Sequence, residues 1–586
     1  KMEKLISAKN SNTLTHQSLT LEFTSNPVWL AIQSLPYLME YPYECSEQIF
    51  SRIYANSIAL HIANSDSRIK DIYESWKNTE ALESNLEKNQ EVKNILLEET
   101  PWVRDAKNEK ERKKRIGILF DLKRMDKELE DAVKKISKLQ LGNGGFAWFS
   151  GLPDDRYITQ HIISGFGRLK KLNISISNNS KIKEMSEKGV KYLDDRMRED
   201  YEYLIRYKIP LNQNNLSYTT IHYLYTRTLY PEINISSFNK KAYNYWLEQA
   251  EKYWLDFNIY CQGMIAIVMF NTNKKNVANR IIESLKERSL TSEEMGMYWK
   301  DNKAGYYWHE APIETQSLLI EAFNDITKDT KIVDEMKVWL LKQKQTQNWK
   351  TTKATVDAVY SLILTGSDWI KEDRLVTIKL GDVVIDPAND KDIKPEKGTG
   401  YFKKSFSAEQ VTENMGNIIV NKDFEGVSWG ALYWQYYEQL DKITPYETPL
   451  KLRKKLFVKR NTAKGPVIEP VEKTKLKVGD EVVVRIELEV DRNMEYIHLK
   501  DARASSLEPV TVISTYKYQD GLWYYQVTKD ASTNFFIPWL AKGSYVFEYS
   551  LRVTHKGEFS NGITTIQCMY APEFSSHSEG VRIKVE

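Results

Sequence analysis

Apolar residues recur every three or four positions from Asn26 to about Gly366, in segments separated by short Gly, Asn, Asp and Pro breaks. This spacing places the apolar side chains on one face of a helix. Examples are PVWLAIQSLPYLMEY (27–41), IFSRIYANSIALHIAN (49–64) and FNKKAYNYWLEQAEKYWLDF (238–257). The pattern predicts a large helical domain.

The periodicity changes after Arg374. Segments such as LVTIKLGDVVI (375–385), EVVVRIELEV (481–490) and KGSYVFEYSLRV (542–553) alternate with period two and are rich in β-branched and aromatic residues. Breaks at KITPY (442–446) and KGPVIEP (464–470) divide this region. The C-terminal third is therefore predicted to form β-sheets, and the chain is a multidomain α plus β protein.

The domain division follows from these patterns. We predict a strand segment at 1–25, a helical domain at 26–367, a small β module at 368–445 and a β-sandwich at 446–586. The early strand LTLEF (19–23) stands alone, and its backbone needs hydrogen-bond partners. We expect it to join the 368–445 sheet, with the helical domain inserted between.

A loose repeat runs through the helical region, in which a Gly- and Trp-bearing loop precedes a Thr that opens an apolar helix. Its copies pair Trp148 with Thr159, Trp308 with Thr315, and Trp349 with Thr355. We expect each Thr to cap a helix N-terminus. A succession of helix pairs is typical of α-solenoids and of closed α/α toroids.

Charge excludes some partners. The chain has 586 residues, with 83 Lys and Arg against 80 Asp and Glu. The formal net charge of +3 is too small to attract nucleic acid or anionic lipid through the overall electrostatic field of the chain. The basic run at 104–115 is followed by the mixed-charge segment 127–138, which indicates a solvated helical surface. No apolar window is long enough to insert in a membrane. The first residue is Lys, from which we expect a fragment of a longer polypeptide.

Cysteine usage is sparse. Cys45, Cys261 and Cys568 are too few and too far apart for a disulfide framework. Cys261 and Cys568 lie in apolar runs and are predicted to be buried structural residues. No metal-binding or phosphate-binding motif is present, so neither a metal nor a cofactor is expected.

The segment YPYECSEQIFSR (41–52) carries the candidate chemistry. Cys45 and Gln48 are three positions apart, which brings their side chains onto one face of a helical turn. Attack of the Cys45 sulfur on the Gln48 side-chain carbonyl, with loss of ammonia, would close an internal thioester. Because a thiolate is a good leaving group, that bond would be an electrophile.

A thioester lasts only where water is excluded. We therefore expect Tyr41, Tyr43, Trp148 and Phe149, together with Trp29, to form aromatic walls around it. The alternative for Cys45 is a small buried hydrophobic residue with no chemistry.

Several motifs in order resemble the alpha-2-macroglobulin family, which includes the complement components. They are PYECSEQ (42–48), GGFAWFSG (144–151), IETQSLLIEAF (313–323), NWKTTKATVDAVYSLI (348–363) and, in the β region, LKDARASSLEP (499–509) and MYAPEF (569–574). The β-region motifs look like the C-terminal macroglobulin-like domain of bacterial members. The resemblance covers nearly the whole chain.

The resemblance implies an α/α toroid bearing the thioester, inserted in a CUB-like β module and followed by a macroglobulin-like sandwich. Cys45 would supply the thiol and Gln48 the acyl carbonyl, with Ser46 and Glu47 completing the thioester motif. Glu44 and Ser46 stand where the vertebrate-type motif has Gly, which permits a positive φ. Their presence bears on how readily the thioester forms.

Some family members use a histidine opposite the thioester to accept the acyl group. His222, at a predicted helix start, is the first candidate, because a neutral imidazole is competent near pH 7. A buried core histidine is the alternative. His161 and His309 also follow Trp-bearing loops and match the family less well.

The implied function is protease inhibition. In that family a protease cleaves a bait segment elsewhere in the polypeptide, and the exposed thioester then traps the protease. The chain would not be an enzyme, and its partners would be proteases and the remainder of the parent chain, in the periplasm or at the cell surface. Two alternatives stay open: a carbohydrate-binding or glycan-processing α/α toroid, and a degenerate family member that acts as a scaffold.

Overall fold

The computed structural model describes residues 1–27, 29, 45–65, 72, 101–102, 122–346, 349, 351–364, 375–424, 426–571 and 573–586. Tyr41 and Tyr43 lie outside these residues, as does the basic run at 104–115. Among the helices within these ranges, none combines the length and the apolar character that crossing a bilayer requires.

The described helices lie mainly between residues 46 and 364. They are α1 (Glu3–Ile6), α2 (Ser46–Ser65), α3 (Leu122–Ser137), α4 (Arg156–Lys171), α5 (Ser180–Arg206), α6 (Tyr218–Thr228), α7 (Ser237–Tyr253), α8 (Ile259–Asn271), α9 (Lys275–Glu287), α10 (Pro312–Thr327), α11 (Thr330–Thr346) and α12 (Thr352–Leu364). Two short hairpins occur among them, formed by β2 (Phe146–Ala147) with β3 (Asp154–Asp155) and by β4 (Leu290–Ser292) with β5 (Gly296–Tyr298).

The even-numbered helices from α2 to α12 form a closed ring. Each packs on the next even-numbered helix, and α12 packs back on α2. The odd-numbered helices from α3 to α11 lie outside and pack on ring helices. The middle of the apolar helix α8 is therefore buried all round, whereas α3 buries only one face, with Met125 and Val133 inward. In the described residues, the helical domain is an α/α toroid.

The small β module contains two three-stranded sheets. They are formed by β10 (Trp429–Tyr437), β1 (Thr15–Thr24) and β8 (Phe402–Ser407), and by β7 (Val383–Ile385), β6 (Thr377–Leu380) and β9 (Ile418–Asn421). Strand β1 is central and pairs antiparallel with both neighbours, Leu21 lying opposite Leu432 and Lys404. The prediction that the isolated early strand joins this later sheet is confirmed, and the helical domain is inserted between β1 and β6.

The C-terminal region is a β-sandwich. One sheet has the order β12 (Gly465–Pro470), β11 (Leu450–Thr462), β13 (Glu481–Val490), β19 (Gly543–Val553) and β15 (Leu507–Pro509). The other has the order β16 (Thr515–Gln519), β17 (Leu522–Thr528), β18 (Ser532–Leu540), β14 (Met494–Ala502), β21 (Thr564–Cys568) and β22 (Ser575–His577), while β20 (Gly557–Asn561) pairs with β23 (Val581–Val585). Inward residues of both sheets, such as Val484 and Phe535, share one core.

Each of these three regions has its own hydrophobic core, which supports the domain division that we propose from the sequence. The regions also touch. Trp102 packs its ring edge against Tyr496 and Phe536 of the sandwich, with centroids 5.2 Å apart in both cases, and Arg492 pairs with Glu294 at 2.8 Å.

The repeated threonines do not cap their helices. Asp155 caps α4 by accepting from the Ile158 amide, α10 begins with Pro312, and Thr351 accepts from the Ala354 amide at the start of α12. Each helix therefore begins one turn earlier than predicted. Thr159, Thr315 and Thr355 all occupy the fourth position of a ring helix. The repeat is structural, but its Thr lies inside the first turn; Thr159 accepts from the Phe146 amide at 2.8 Å and so ties the preceding loop to α4.

A network of buried charges holds four ring helices together. Arg168 on α4 donates to Asp357 on α12 at 2.5 Å and to the Tyr225 hydroxyl on α6 at 3.0 Å. That hydroxyl donates to Glu321 on α10 at 2.8 Å. Lys353 on α12 completes the cluster by donating to Asp357 at 2.9 Å.

Burial by itself would raise the pKa of Asp357, but the ion pairs with Lys353 and Arg168 outweigh it and lower the pKa to about 2. Asp357 therefore stays ionised. Because each of these charges depends on the others for compensation, the network fixes how the ring helices meet.

We predict that Arg168→Met lowers the free energy of unfolding by about 3–5 kcal/mol, because it leaves Asp357 and Glu321 buried with fewer cationic partners. Urea denaturation followed by helical circular dichroism measures this effect.

Lys188→Met is the matched control, because it also replaces a cation by Met and breaks an ion pair, here the exposed pair with Glu184. Its denaturation midpoint should equal that of the unaltered protein. Equal midpoints for both variants would show that the network does not stabilise the ring.

Candidate functional site

The candidate thioester residues lie at the start of α2. The carbonyl oxygen of Cys45 accepts from the Ile49 amide at 3.0 Å, so Cys45 is the residue that caps the helix and Gln48 is its third residue. Residues at these two positions face each other in a capping box, where each side chain reaches towards the other residue. The helix start therefore places Cys45 and Gln48 on the same turn.

Both candidate groups are shielded from solvent. Cys45 is buried at 9% exposure, and the Gln48 side-chain oxygen Oε1 is buried with no hydrogen-bond partner among the described residues. A buried amide oxygen without a donor costs about 1–3 kcal/mol. Unpaired polar groups of this kind are rare in folded proteins and call for an explanation, of which a reactive role is one.

Hydrogen bonds hold Ser46 and Glu47, the two residues between Cys45 and Gln48. The Ser46 amide donates to the Trp148 carbonyl at 3.0 Å, and the Ser46 hydroxyl donates to the Ala147 carbonyl at 2.5 Å. Glu47 Oε1 accepts from the Thr352 hydroxyl at 2.5 Å and from the Ser51 hydroxyl at 3.1 Å. The sequence motif gave Glu47 no role, whereas the structure shows it joining α2 to α12.

A close approach between α2 and α4 sets the helix in place. A Cβ atom added at Gly165 would lie 2.0 Å from the Phe50 ring, so only glycine admits this ring. Phe50 also packs its edge against Phe166 and His161, with centroids 5.4 Å apart in both cases.

Of the aromatic residues expected to shield the site, Trp148 is packed against other rings, whereas Phe149 is largely exposed. Trp148 stacks on Tyr157 at 6.3 Å, and Tyr157 in turn contacts Trp308 at 5.5 Å, so this cluster covers the ring beside the start of α2. Phe149 is 54% exposed. Its shielding role stays a prediction, as do those of Tyr41 and Tyr43, which lie outside the described residues.

His222 lies on α6 and is buried. Gln160 Nε2 donates both to the Thr219 carbonyl and to His222 Nδ1, each at 3.1 Å. Since the carbonyl fixes the amide as donor, Nδ1 of His222 is the acceptor and its proton is on Nε2. Burial, followed by the charge of Lys353, lowers the pKa of His222 to about 3, so the ring is neutral at pH 7.

His161 lies nearer to α2, edge-on to Phe50. Its Nε2 is buried without a hydrogen-bond partner among the described residues, and burial lowers its pKa to about 3. His309 stacks on Tyr218 at 3.6 Å in the loop before α10. The sequence ranked His161 behind His222, while the structure places His161 against the helix that carries Gln48.

A small cavity lies between the ring helices α2, α4, α6, α8 and α12. Its lining comprises Phe50, Tyr54, His161, Ser164, Gly165, Arg168, His222, Tyr260, Lys353, Val356 and Asp357. It has space for about one water molecule. A sugar ring does not fit, and Asp357 is already engaged by two cations.

Sequence reasoning missed the polar residues behind the site. Arg168 and Lys353 resemble ordinary surface cations in the sequence, and their burial follows only from closure of the ring. The one available signal was the segment NWKTTKATVDAVYSLI, in which Lys353 and Asp357 stand one turn apart on a helix with no other charged residue. Cys261 and Cys568 are fully buried, as predicted.

Comparison with known proteins gives two kinds of match. Residues 450–573 match the family model of the bacterial alpha-2-macroglobulin MG10 domain. Among curated proteins, the circularly permutated Ras protein 2 of Dictyostelium discoideum is 21% identical over 356 residues, which cover 56% of this chain and 9% of that protein. The chain thus spans a small part of that relative.

Solved structures of Escherichia coli alpha-2-macroglobulin match almost the entire chain. The trypsin-activated protein has a TM-score of 0.50 and 11% identity, covering 97% of this chain and 34% of its own. The native protein from domain MG7 to the C-terminus has a TM-score of 0.36 and 12% identity, covering 99% and 79%. The family model and the fold shared with the trypsin-activated protein agree with the resemblance seen in the sequence: residues 450–573 match a bacterial alpha-2-macroglobulin MG10 domain, and the chain has the fold of that solved structure.

Proposed function

We propose that this chain is the reactive part of a protein that traps proteases covalently, through a thioester between Cys45 and Gln48. The observation that carries the proposal is the helix start itself. A buried thiol residue at the cap and, at the third position, a buried amide oxygen that has no hydrogen-bond partner among the described residues share one turn of α2.

The thioester would form by attack of the thiol on the side-chain amide, with loss of ammonia. The Cys45 sulfur attacks Gln48 Cδ, the bond from Cδ to nitrogen breaks, and the thiol proton leaves with the amide nitrogen as ammonia. The anchors on Ser46 and Glu47 support this step, because they hold both reacting residues in place before the reaction. The aromatic cluster of Trp148, Tyr157 and Trp308 protects the product from water.

Capture of the protease is a second acyl transfer. A nucleophile of the attacking protease adds to Gln48 Cδ, the bond to sulfur breaks, and Cys45 regains a free thiol. The reaction occurs once per molecule, so the chain is not an enzyme. The solved relative is described as trypsin-activated, which supports proteases as the partners.

The two buried histidines would serve the transfer differently. His222 carries its proton on Nε2 and is suited to donating a hydrogen bond to a developing oxyanion. His161 Nε2 has no described partner and lies on the side of α2, so it is the better candidate to take the acyl group or a proton. Both rings are neutral at pH 7, as either role requires.

The remaining parts of the proposal concern the parent molecule. The module built on β1, β6 and β8 would be the CUB-like domain, and the bait segment would lie outside this chain. We place the protein in the periplasm or at the cell surface, where it would meet foreign proteases. The described cavity inside the ring has space for about one water molecule, so it does not itself serve as a sugar-binding site.

We predict that the protein has an intact mass short by one ammonia, and that methylamine adds at position 48 while one thiol is released. The amine attacks Gln48 Cδ and restores the Cys45 thiol. Mass spectrometry of the protein and of its peptides, with thiol titration, measures both events.

Cys45→Ala is the control and should show a full mass with no adduct. Cys261→Ala removes another buried cysteine and should leave adduct formation intact. A full mass and no thiol release for the unaltered protein would contradict the trap and favour the scaffold alternative.

The buried histidines generate a prediction about pH. Each has a pKa of about 3 in the folded chain against about 6.5 when unfolded, so between these values the unfolded chain binds more protons. The free energy of unfolding should therefore fall as the pH drops from about 6.5 towards 3, by up to about 1.4 kcal/mol per pH unit for each histidine.

Urea denaturation at several pH values measures this slope. His161→Gln should reduce it by the share of one histidine, while His555→Gln, which removes an exposed histidine of the sandwich, should leave it unchanged. An unchanged slope in His161→Gln would show that His161 is not buried in its neutral form.

A further inference from the structure

Glu47 joins two parts of the ring that are distant in sequence. Its Oε1 accepts the Thr352 hydroxyl at 2.5 Å, across 305 residues of chain. The second donor, the Ser51 hydroxyl at 3.1 Å, lies one turn along α2 itself and so adds no link to another element.

Thr352 is a fixed point for this bond. It is the first residue of α12 and is buried at 8% exposure. The preceding Thr351 caps the helix by accepting from the Ala354 amide at 3.0 Å, and the following Lys353 is held by Asp357 at 2.9 Å. A bond from Glu47 to this position therefore ties the start of α2 to the buried charge network.

The first turn of α2 is held from two sides. Ser46 is fixed to the segment at 147–148 through its amide and hydroxyl, and Glu47 is fixed to α12. Gln48 follows directly and makes no described hydrogen bond through Oε1. Its position relative to Cys45 thus depends on the two residues between them.

We propose that Glu47 is a positioning residue for the acyl chemistry, acting through its hydrogen bond to Thr352. The bond fixes the turn so that Gln48 Cδ stays within reach of the Cys45 sulfur. Glu47 itself does not touch the reacting atoms. The inference rests on the proposed function, and it assigns Glu47 and Thr352 roles that the sequence motif alone does not give.

The expected effect of losing the hydrogen bond between Glu47 and Thr352 can be given as a fold-change in thioester closure. A reaction between two held groups loses much of its rate when the groups can move apart by about 1 Å. A hydrogen bond to a charged group is worth enough to bias the turn by about tenfold. We therefore expect loss of the bond to slow thioester closure, and to lower the thioester fraction, by about tenfold.

The test uses Thr352→Val, which keeps the shape of the side chain and removes the donor. The thioester fraction after folding is measured by intact mass, and the rate of closure by the loss of free thiol during refolding. Thr352→Ser keeps the hydroxyl, so its thioester fraction and closure rate should equal those of the unaltered protein. Ser51→Ala removes the other donor to Glu47 and should leave them unchanged.

A double-mutant cycle identifies the bond itself. Glu47→Ala and Thr352→Val should each reduce closure by about tenfold, and the double variant should be no worse than either, because one interaction is lost in all three. Independent, multiplying effects would overturn the proposal. So would equal closure in Thr352→Val and the unaltered protein.

The outcomes separate this inference from the function on which it rests. If the unaltered protein never forms a thioester, the proposed function fails before any variant is made. If it does, and Thr352→Val closes at the normal rate, only the role of Glu47 fails. Urea midpoints of all variants are measured in parallel, and a loss of closure that Thr352→Ser does not rescue would assign Thr352 a purely structural role.

Discussion

The start of α2 must complete the helix end and also hold Cys45 next to Gln48, and the proposed site depends on this constraint. A helix N-terminus leaves its first amides without partners inside the helix, and the capping residue and the third residue normally meet there. In this chain those two positions hold a thiol and an amide. In the function that we propose, the side-chain proximity that usually completes a helix end would serve to form a covalent bond, provided that the turn is held still and kept dry.

The closed ring explains how the turn is held. Each ring helix packs on the next, so α12 returns to α2 and brings Thr352 to Glu47. Behind that contact, Lys353, Asp357 and Arg168 carry buried charges that compensate one another. The costs of burying these groups are offset only in the assembled ring. The turn that carries Cys45 and Gln48 is consequently coupled to the integrity of the whole helical domain.

Much of the fold could be predicted from the sequence, because periodicity reports which face of an element is buried. The change of period after Arg374 and the partnering of the early strand with the later sheet are both confirmed. The threonine repeat was located correctly but misinterpreted, since Asp155, Pro312 and Thr351 begin their helices a turn earlier. The contact of Glu47 with Thr352 could not be predicted, because nothing local in either segment specifies a partner across the ring. The burial of Arg168 was hidden for the same reason.

An experimental electron-density map of the unreacted protein at high resolution tests the bond between Cys45 and Gln48 most directly. The account predicts continuous density joining the Cys45 sulfur to Gln48 Cδ, with no amide nitrogen on Gln48. Separate density for a thiol and a complete amide, in protein that has never met an amine or a protease, would contradict it.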